Sequence, residues 1–394
     1  MIADILVEHL EEAEILWARR RGARYSPDLN FTQLEALEGR LEAHLEGLAL
    51  GLDGLRPSCE EAIEGGDEDR AFVAAALLLR SGAAESEARV LEHFPRRPPA
   101  ARRGILEALC HLPLSEPSRC TLEGFVYGSG ETSIAAGLEV LGFHRVLEAD
   151  LLRRSARAGA PELRLAAARA AGRVAAAHEV IESLAQDRDV RVRDAALHSA
   201  LQHGLPDARS RLREIVTSRA VTRPALGLLA SVGEPEDAAL LGQRLDSPVF
   251  GEAALAGLAT LANPDAVPML LDAMEVPFLA RAAGQAFVRI TGIDLLELAT
   301  VAATPDEEDA HFEDLRPVPD AAATRRLWQA QAGAFGAGLR WRDGRRLGPD
   351  DWIADPHRGD LLTRREELFR LWMTRPGSVP AIELDAPARR QRCA

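Results

Sequence analysis

The 394-residue chain has no lysine; all 47 of its basic residues are arginine. A GC-rich coding sequence is the plain origin of that absence. Its physical consequence is that every fixed cation is a planar fork suited to bidentate contact with carboxylates. Positive charge is itself in deficit. The 61 acidic residues leave a formal net charge of −14 and a sequence pI near 5.3. A phosphate backbone is held by a positive footprint, so nucleic acid is excluded as a bulk partner. Aromatic residues make up only 5% of a chain that is 47% hydrophobic, and the apolar content is mainly Ala and Leu. That mixture favours closely packed helices over strands.

Cysteine is scarce too. Cys59, Cys110, Cys120 and Cys393 show neither zinc nor redox spacing. They read as small buried hydrophobes or as thiols in a reducing compartment. No apolar run is long enough to cross a bilayer. The opening "MIADILVEHLEEAE" is acidic and amphipathic, unlike a signal peptide. A cytoplasmic, soluble protein is expected.

What the chain does contain is repetition. Pro206, Pro235 and Pro264 are 29 residues apart, as are Leu212, Leu241 and Leu270. The same step links Val216, Leu245 and Met274, the alanines 196, 225, 254 and 283, and Leu197, Leu226 and Leu255. Looser matches continue upstream, from Ile105 to Ile134 and from Leu109 to Leu138. A period near 30 residues predicts an all-α solenoid of stacked antiparallel helix pairs, placed at residues 57–300. Asn263 caps one helix start, with Pro264 at its first position, and Ser247 with Pro248 is read as the same opening. Val267, Leu270, Leu271 and Met274 then follow helical spacing. One such unit is too small to fold alone. Ordering costs about 1–2 kcal/mol per residue and a buried Leu returns about 1.5–3 kcal/mol, so only stacking closes the gap.

The ends differ from the middle. Residues 1–56 read as two amphipathic helices forming a hairpin cap, with Leu34, Leu41 and Leu48 seven apart. Pairing of that seam with a second chain is the alternative. Residues 301–320 are acidic and proline-marked, a linker. Residues 321–394 read as a small Trp- and Arg-rich unit with two helices. Asp343-Gly344, between Trp341 and Leu347, predicts a two-residue type I′ β-hairpin there.

Chemistry-bearing patterns are sparse. His9 and His44 both fall in the N-terminal hairpin, and two histidines do not make a metal site. His178-Glu179 is a single pair, read as helix surface. "YGSGET" lacks the phosphate-loop lysine and reads as a turn capped by Ser129 or Thr132. No catalytic, cofactor-binding or metal-binding residues are assigned. The candidate protein-binding residues are Arg188, Arg191 and Arg193, one cluster, and Trp328, Trp341 and Trp352 in the tail. The bland readings are arginines paired with acids of adjacent repeats and tryptophans that build the tail's core.

The repeats resemble the HEAT-like units of the phycobilisome-lyase type. "HLEEAEILWARR" (9–20), "RLEAHLEGLAL" (40–50) and the tail "GLRWRDGRRL…ARRQR" are similar to an uncharacterised family of bacterial HEAT-repeat proteins. That resemblance covers essentially the whole chain, with a departure around Trp341 and residues 355–360. It makes His9, Trp17, Arg40 and His44 a structural signature. Family members are often encoded among type VI secretion and effector genes, which implies an accessory, adaptor or immunity role. The expectation is therefore a non-enzymatic scaffold binding a protein partner on its solenoid surface, with no nucleic acid, membrane or cofactor. An immunity-type inhibitor of a secreted toxin is the alternative. A lyase or modifying enzyme acting in the groove is a second alternative.

Overall fold

The structure is a computed structural model, and it describes residues 3–128, 130–295, 299–301, 318–348, 359–375 and 387–388. The chain divides into two compact units. One comprises Met1–Gly204, Asp355–Arg365 and Thr374–Ala394; the other comprises Leu205–Ala354 and Glu366–Met373.

The first unit is built from helix pairs. It opens with α1 (Ala3–Ala23) and α2 (Phe31–Ala49). Asn30 caps α2 by accepting from the Gln33 N–H, and Gln33 returns the contact to the Asn30 N–H. The leucine seam turns inward, so Leu34, Leu41, Leu45 and Leu48 are all buried. The pairs α3 (Leu52–Gly65) and α4 (Glu68–Arg80), α5 (Ala84–Leu91) and α6 (Pro99–His111), and α7 (Glu116–Tyr127) and α8 (Glu131–Phe143) follow. The last two are α9 (Ala149–Ala156) with α10 (Pro161–Ala171), and α11 (His178–Leu184) with α12 (Val190–Gln202). The second helices α4, α6, α8, α10 and α12 pack side by side as one layer, while α5, α7, α9 and α11 form the other. The α1–α2 hairpin lies on α4.

Small residues set the spacing within the layer. A Cβ on Gly104 of α6 would fall 2.2 Å from the Glu68 carbonyl oxygen and 2.7 Å from the Phe72 nitrogen of α4. Polar groups on helix ends then tie one pair to the next. At the C-terminus of α8 the His144 Nε2 lies 2.8 Å from the Leu109 carbonyl oxygen of α6. His203 repeats the contact from α12, 3.0 Å from the Ala171 oxygen of α10. Arg154 donates to the Val126 oxygen in the last turn of α7. The last carbonyls of a helix have no intrahelical donor, and these side chains supply one. The tail adds to this unit as well: the Leu361 N–H donates to the Leu29 oxygen at 2.8 Å, and Leu361 and Ala388 share a core with Ala23, Phe31 and Leu34.

The second unit carries the stricter repeats. Its pairs are α13 (Asp207–Thr217) with α14 (Arg223–Val232), α15 (Ala238–Gly242) with α16 (Gly251–Leu261), and α17 (Val267–Ala273) with α18 (Ala280–Thr291). Most of the leucines and alanines that carry the 29-residue step form its core, while Pro206 is exposed and Pro235 and Leu245 are half-buried. Leu212, Leu241, Leu270, Ala225, Ala254, Ala283, Leu226 and Leu255 are all 0% exposed. Arg244 Nε donates to the Val216 oxygen at 2.8 Å, the counterpart of Arg154 in the first unit. Asn263 caps its helix as expected, accepting from the Asp265 N–H, and Pro264 opens a 3₁₀ turn that leads into α17. Ser247 and Pro248 behave differently. The Ser247 hydroxyl closes a turn onto Phe250, and α16 begins only at Gly251. Thr132 also corrects the sequence reading: it lies inside α8, whose N-cap is Gly130 without a side-chain bond, and Ser129 falls outside the described residues.

Strands are minor. β1 (Ala299–Val301) pairs antiparallel with β2 (Val318–Pro319). After α19 (Ala321–Gln331), β3 (Trp341–Arg342) and β4 (Arg345–Arg346) form the expected hairpin. Asp343 (φ 50°) and Gly344 (φ 71°) both adopt the left-handed backbone that a type I′ turn requires. The hairpin's backbone closes two helix ends. The Trp341 N–H donates to the Ala262 oxygen beyond α16 at 2.7 Å. Asp343 and Gly344 N–H groups donate to the Arg289 and Ile290 oxygens of α18 at 2.9 and 3.3 Å. In the last helix, α20 (Leu361–Thr374), Glu366–Met373 belong to the second unit.

Candidate binding face and cavity

In α8, α10 and α12 one side packs on the preceding helix and the flanks meet neighbouring second helices, whereas α6 packs on α3, α4 and α8. What remains is a stripe of outward residues. Arg103, Glu139, Glu162, Arg169 and Arg191 are exposed along it, while Leu106, Cys110, Ala135, Ala166, Ala195 and His198 are half-buried between them. Along each helix the exposed charges alternate at three- and four-residue spacing with the half-buried small or apolar groups.

A cavity of about 120 Å³ opens at the end of this face nearest α1. Trp17 and Arg20 reach it from α1, and Arg24 from the turn that follows. Leu106, Glu107, Cys110 and His111 come from the last turns of α6, Glu139 and Phe143 from α8, and Arg173 from just beyond α10. Trp17 is fixed from two sides. Its ring stacks on Phe72 with centroids 3.4 Å apart, and its Nε1–H donates to Glu107 Oε2 at 2.9 Å. His111 meets both rings edge-on, at 5.2 and 5.7 Å. Arg20, almost fully enclosed, donates to Glu38 at 2.9 Å and lies over the Trp17 ring. Arg24 lies 3.7 Å from Glu107, and the Arg173 guanidinium lies over Phe143. Burial pushes the Glu107 carboxyl above its ordinary value; Arg24 and the Trp17 hydrogen bond act the other way without cancelling it.

The two signature histidines meet on the α1–α2 hairpin. His9 Nδ1 and His44 Nδ1 are 2.8 Å apart, so one ring donates and the other accepts. Burial, with His9 next in strength, lowers His44 below its ordinary value; Glu12 opposes this and Arg40 adds to it. Among the described residues, no three His, Cys, Asp or Glu side chains are grouped to hold a metal.

The residues singled out from sequence are dispersed. Arg188 and Arg191 are exposed, but Arg193 is buried against Asp194 at 2.8 Å. Arg191 bonds Asp189 at 2.7 Å and reaches Glu162, 29 positions upstream, at 3.4 Å. Hydrogen bonds from the Arg191 side chain and backbone hold the Asp189 carboxyl down at about 2. In the second unit Trp328 and Trp341 are half-buried and join Phe287 and Phe335 in an aromatic row with centroids 4.7–6.2 Å apart. Trp352 lies outside the described residues.

Sequence reasoning missed a buried charge cluster in the second unit. Glu366 accepts from Arg289 at 2.8 and 2.9 Å, from Arg342 at 3.0 Å and from the Thr260 hydroxyl at 2.7 Å. Its neighbour Glu367 takes Arg340 at 2.6 Å. Burial acts to raise the Glu366 carboxyl, but Arg342 and Arg289 hold it below the ordinary range. Nothing in the helix pattern of "LLTRREELFRLWM" marks these two glutamates as interior.

Comparison with known proteins adds little. No family model matches the chain, and no curated protein matches it. Among solved structures, the crystal structure of Escherichia coli YibA is similar to it at 15% identity and a TM-score of 0.39. The similarity covers 60% of this chain and 95% of that one. The helical-repeat fold stands on the packing described above.

Proposed function

We propose that the chain is a non-enzymatic, cytoplasmic scaffold whose protein partner docks on the exposed face of α6, α8, α10 and α12. The observation that carries this reading is the set of exposed charges from Arg103 to Arg191 interspersed with half-buried alanines on the outward sides of α6, α8, α10 and α12. Neighbouring helices pack about 8–10 Å apart, so four of them span roughly 30 Å. That suits the ~800 Å² per partner of a standard interface. Among the described residues no helix is long and apolar enough to cross a membrane, and the acidic balance opposes nucleic acid. The test is affinity purification of the full chain from its host. A stoichiometric partner is expected with the unchanged protein and with Glu182→Arg on α11. It should be lost with Arg103→Glu/Arg169→Glu. Retention by the double variant, or no partner at all, overturns the reading.

The finer role follows the resemblance of the end motifs: an accessory factor of type VI secretion effectors. Charge favours a second version, an immunity-type inhibitor of a basic secreted toxin. Residues 1–100 contain 20 acidic residues against 11 arginines, and such a field speeds association with a cationic partner. Co-expression with toxins encoded next to it separates the two, since only the inhibitor restores growth.

A further inference from the structure

The second unit carries an exposed edge that the scaffold reading does not use. Its last two repeats turn between their helices in the same way. The Ser247 carbonyl accepts from the Phe250 and Gly251 N–H groups, and the Val276 carbonyl, 29 positions later, accepts from those of Leu279 and Ala280. Matching turns put matching positions outside. Val249 is 55% exposed and Phe278, 29 positions on, is 58% exposed. A lone apolar side chain on a surface is ordinary, but two at equivalent places in adjacent repeats form a patch.

The edge continues onto the helices. Glu252 and Arg281 lie in the first turns of α16 and α18, three positions after the apolar pair, and Ala256 and Gln285 lie one turn further on. All four are exposed, and neither charge pairs with another described residue. Arg281 stands at the positive end of α18, where a cation is disfavoured unless a carboxylate faces it.

Each of the three rows holds two unlike members: Val and Phe, Glu and Arg, Ala and Gln. The larger member always belongs to α18. The two helices pack side by side. A twofold axis lying between them and along their length brings α16 of one copy over α18 of the other, and the reverse. Val249 then meets Phe278, Glu252 meets Arg281, and Ala256 leaves room for Gln285, each contact made twice. That reciprocity defines an isologous interface. The charges select this occupant, because a second copy presents the opposite charge at both places without further requirement.

We propose that the chain self-associates as a twofold dimer through this edge, with α16 of each copy against α18 of the other. Two turns and two helix starts per copy make a contact smaller than a standard interface, so the dimer is transient, with a dissociation constant of about 10–100 µM.

The test is sedimentation equilibrium of the full chain from about 5 to 200 µM, a range set by that affinity. A monomer–dimer equilibrium is expected. Glu252→Arg and Arg281→Glu each place like charges opposite one another and should weaken association at least about tenfold. The double variant Glu252→Arg/Arg281→Glu restores both pairs with their order reversed and should return to within about threefold of the unchanged protein. Phe278→Ser should also weaken the dimer about tenfold or more, since it removes the apolar contact twice. All four substitutions are at exposed positions, so the circular dichroism melts should coincide and separate lost association from lost folding. A chain that stays monomeric across the range overturns the proposal. So does a double variant as weak as the single ones, or an association that none of these changes alters.

Discussion

Replacing Glu366 by glutamine removes one negative charge from the interior of the second unit and little else. The carboxylate takes hydrogen bonds from Arg289, Arg342 and Thr260, and both it and Arg342 are nearly fully enclosed. Deleting one partner of a buried ion pair leaves the other charge uncompensated, a loss of about 3–5 kcal/mol. Glutamine keeps an acceptor oxygen, which places the expected cost near the lower limit, about 3 kcal/mol. For a unit of this size that corresponds to a fall in melting temperature of roughly 6–12 °C. Two units need not unfold together, so hydrogen exchange read separately over α16 and α18 is the decisive assay. The companion experiment is Glu366→Leu with Arg342→Met. Exchanging both members of such a pair for apolar groups is commonly neutral. Arg289, more exposed than Arg342, can then turn toward water. The double variant should therefore be more stable than the sum of its single changes by at least about 2 kcal/mol. A single-variant loss below about 1 kcal/mol would mean that water already screens the cluster, and strict additivity would mean that the pair is not coupled.

Other expectations follow from the packing and the titrating groups. Leu241→Ala should cost about 2–5 kcal/mol in denaturant titration, because the side chain is fully enclosed between repeats; a loss under 1 kcal/mol would deny that enclosure. Gly104→Ala forces α4 and α6 apart and should cost about 1–3 kcal/mol, seen as faster amide exchange in α4. The raised Glu107 carboxyl binds its proton more tightly in the folded state, so its contribution favours folding at low pH and is lost as pH rises from the unfolded value to the folded one. Glu107→Gln should therefore melt higher than the unchanged protein at pH 7, with the gap closing below the ordinary carboxylate range; a gap that ignores pH refutes this. His44 has the opposite sense: its lowered value gives stability that is present above the ordinary 6.5 and lost as pH falls through it. His44→Asn should flatten the decline in stability between pH 7 and 5, measured by urea titration at each pH.

The parts legible in sequence were those fixed by neighbours along the chain. The 29-residue step placed Leu212, Leu241 and Leu270 in the core because each repeat meets only the next. Asp343-Gly344 identified a hairpin because few residue pairs tolerate two consecutive positive φ angles. Ser247-Pro248 misled because the same letters close a turn when Gly251 follows, and Thr132 because Gly130 already occupies the cap. The cavity was opaque for another reason. Trp17 and Glu107 are 90 positions apart and meet only once α1 is laid beside α6. Glu366 was opaque too, since Thr260 lies 106 positions away and charged letters on an amphipathic helix ordinarily mean solvent. Arg193 shows the converse: an arginine of the Arg188, Arg191 and Arg193 cluster that folds inward against Asp194.

The closure of α16 and α18 by the β3–β4 hairpin bears on how such a molecule can change length. Ala262, Arg289 and Ile290 offer the carbonyls that a following unit would otherwise engage, and Trp341, Asp343 and Gly344 already occupy them. A duplicated segment inserted after Thr291 would have to evict the hairpin and would leave those acceptors stranded. Growth by a whole unit is therefore penalised at this joint.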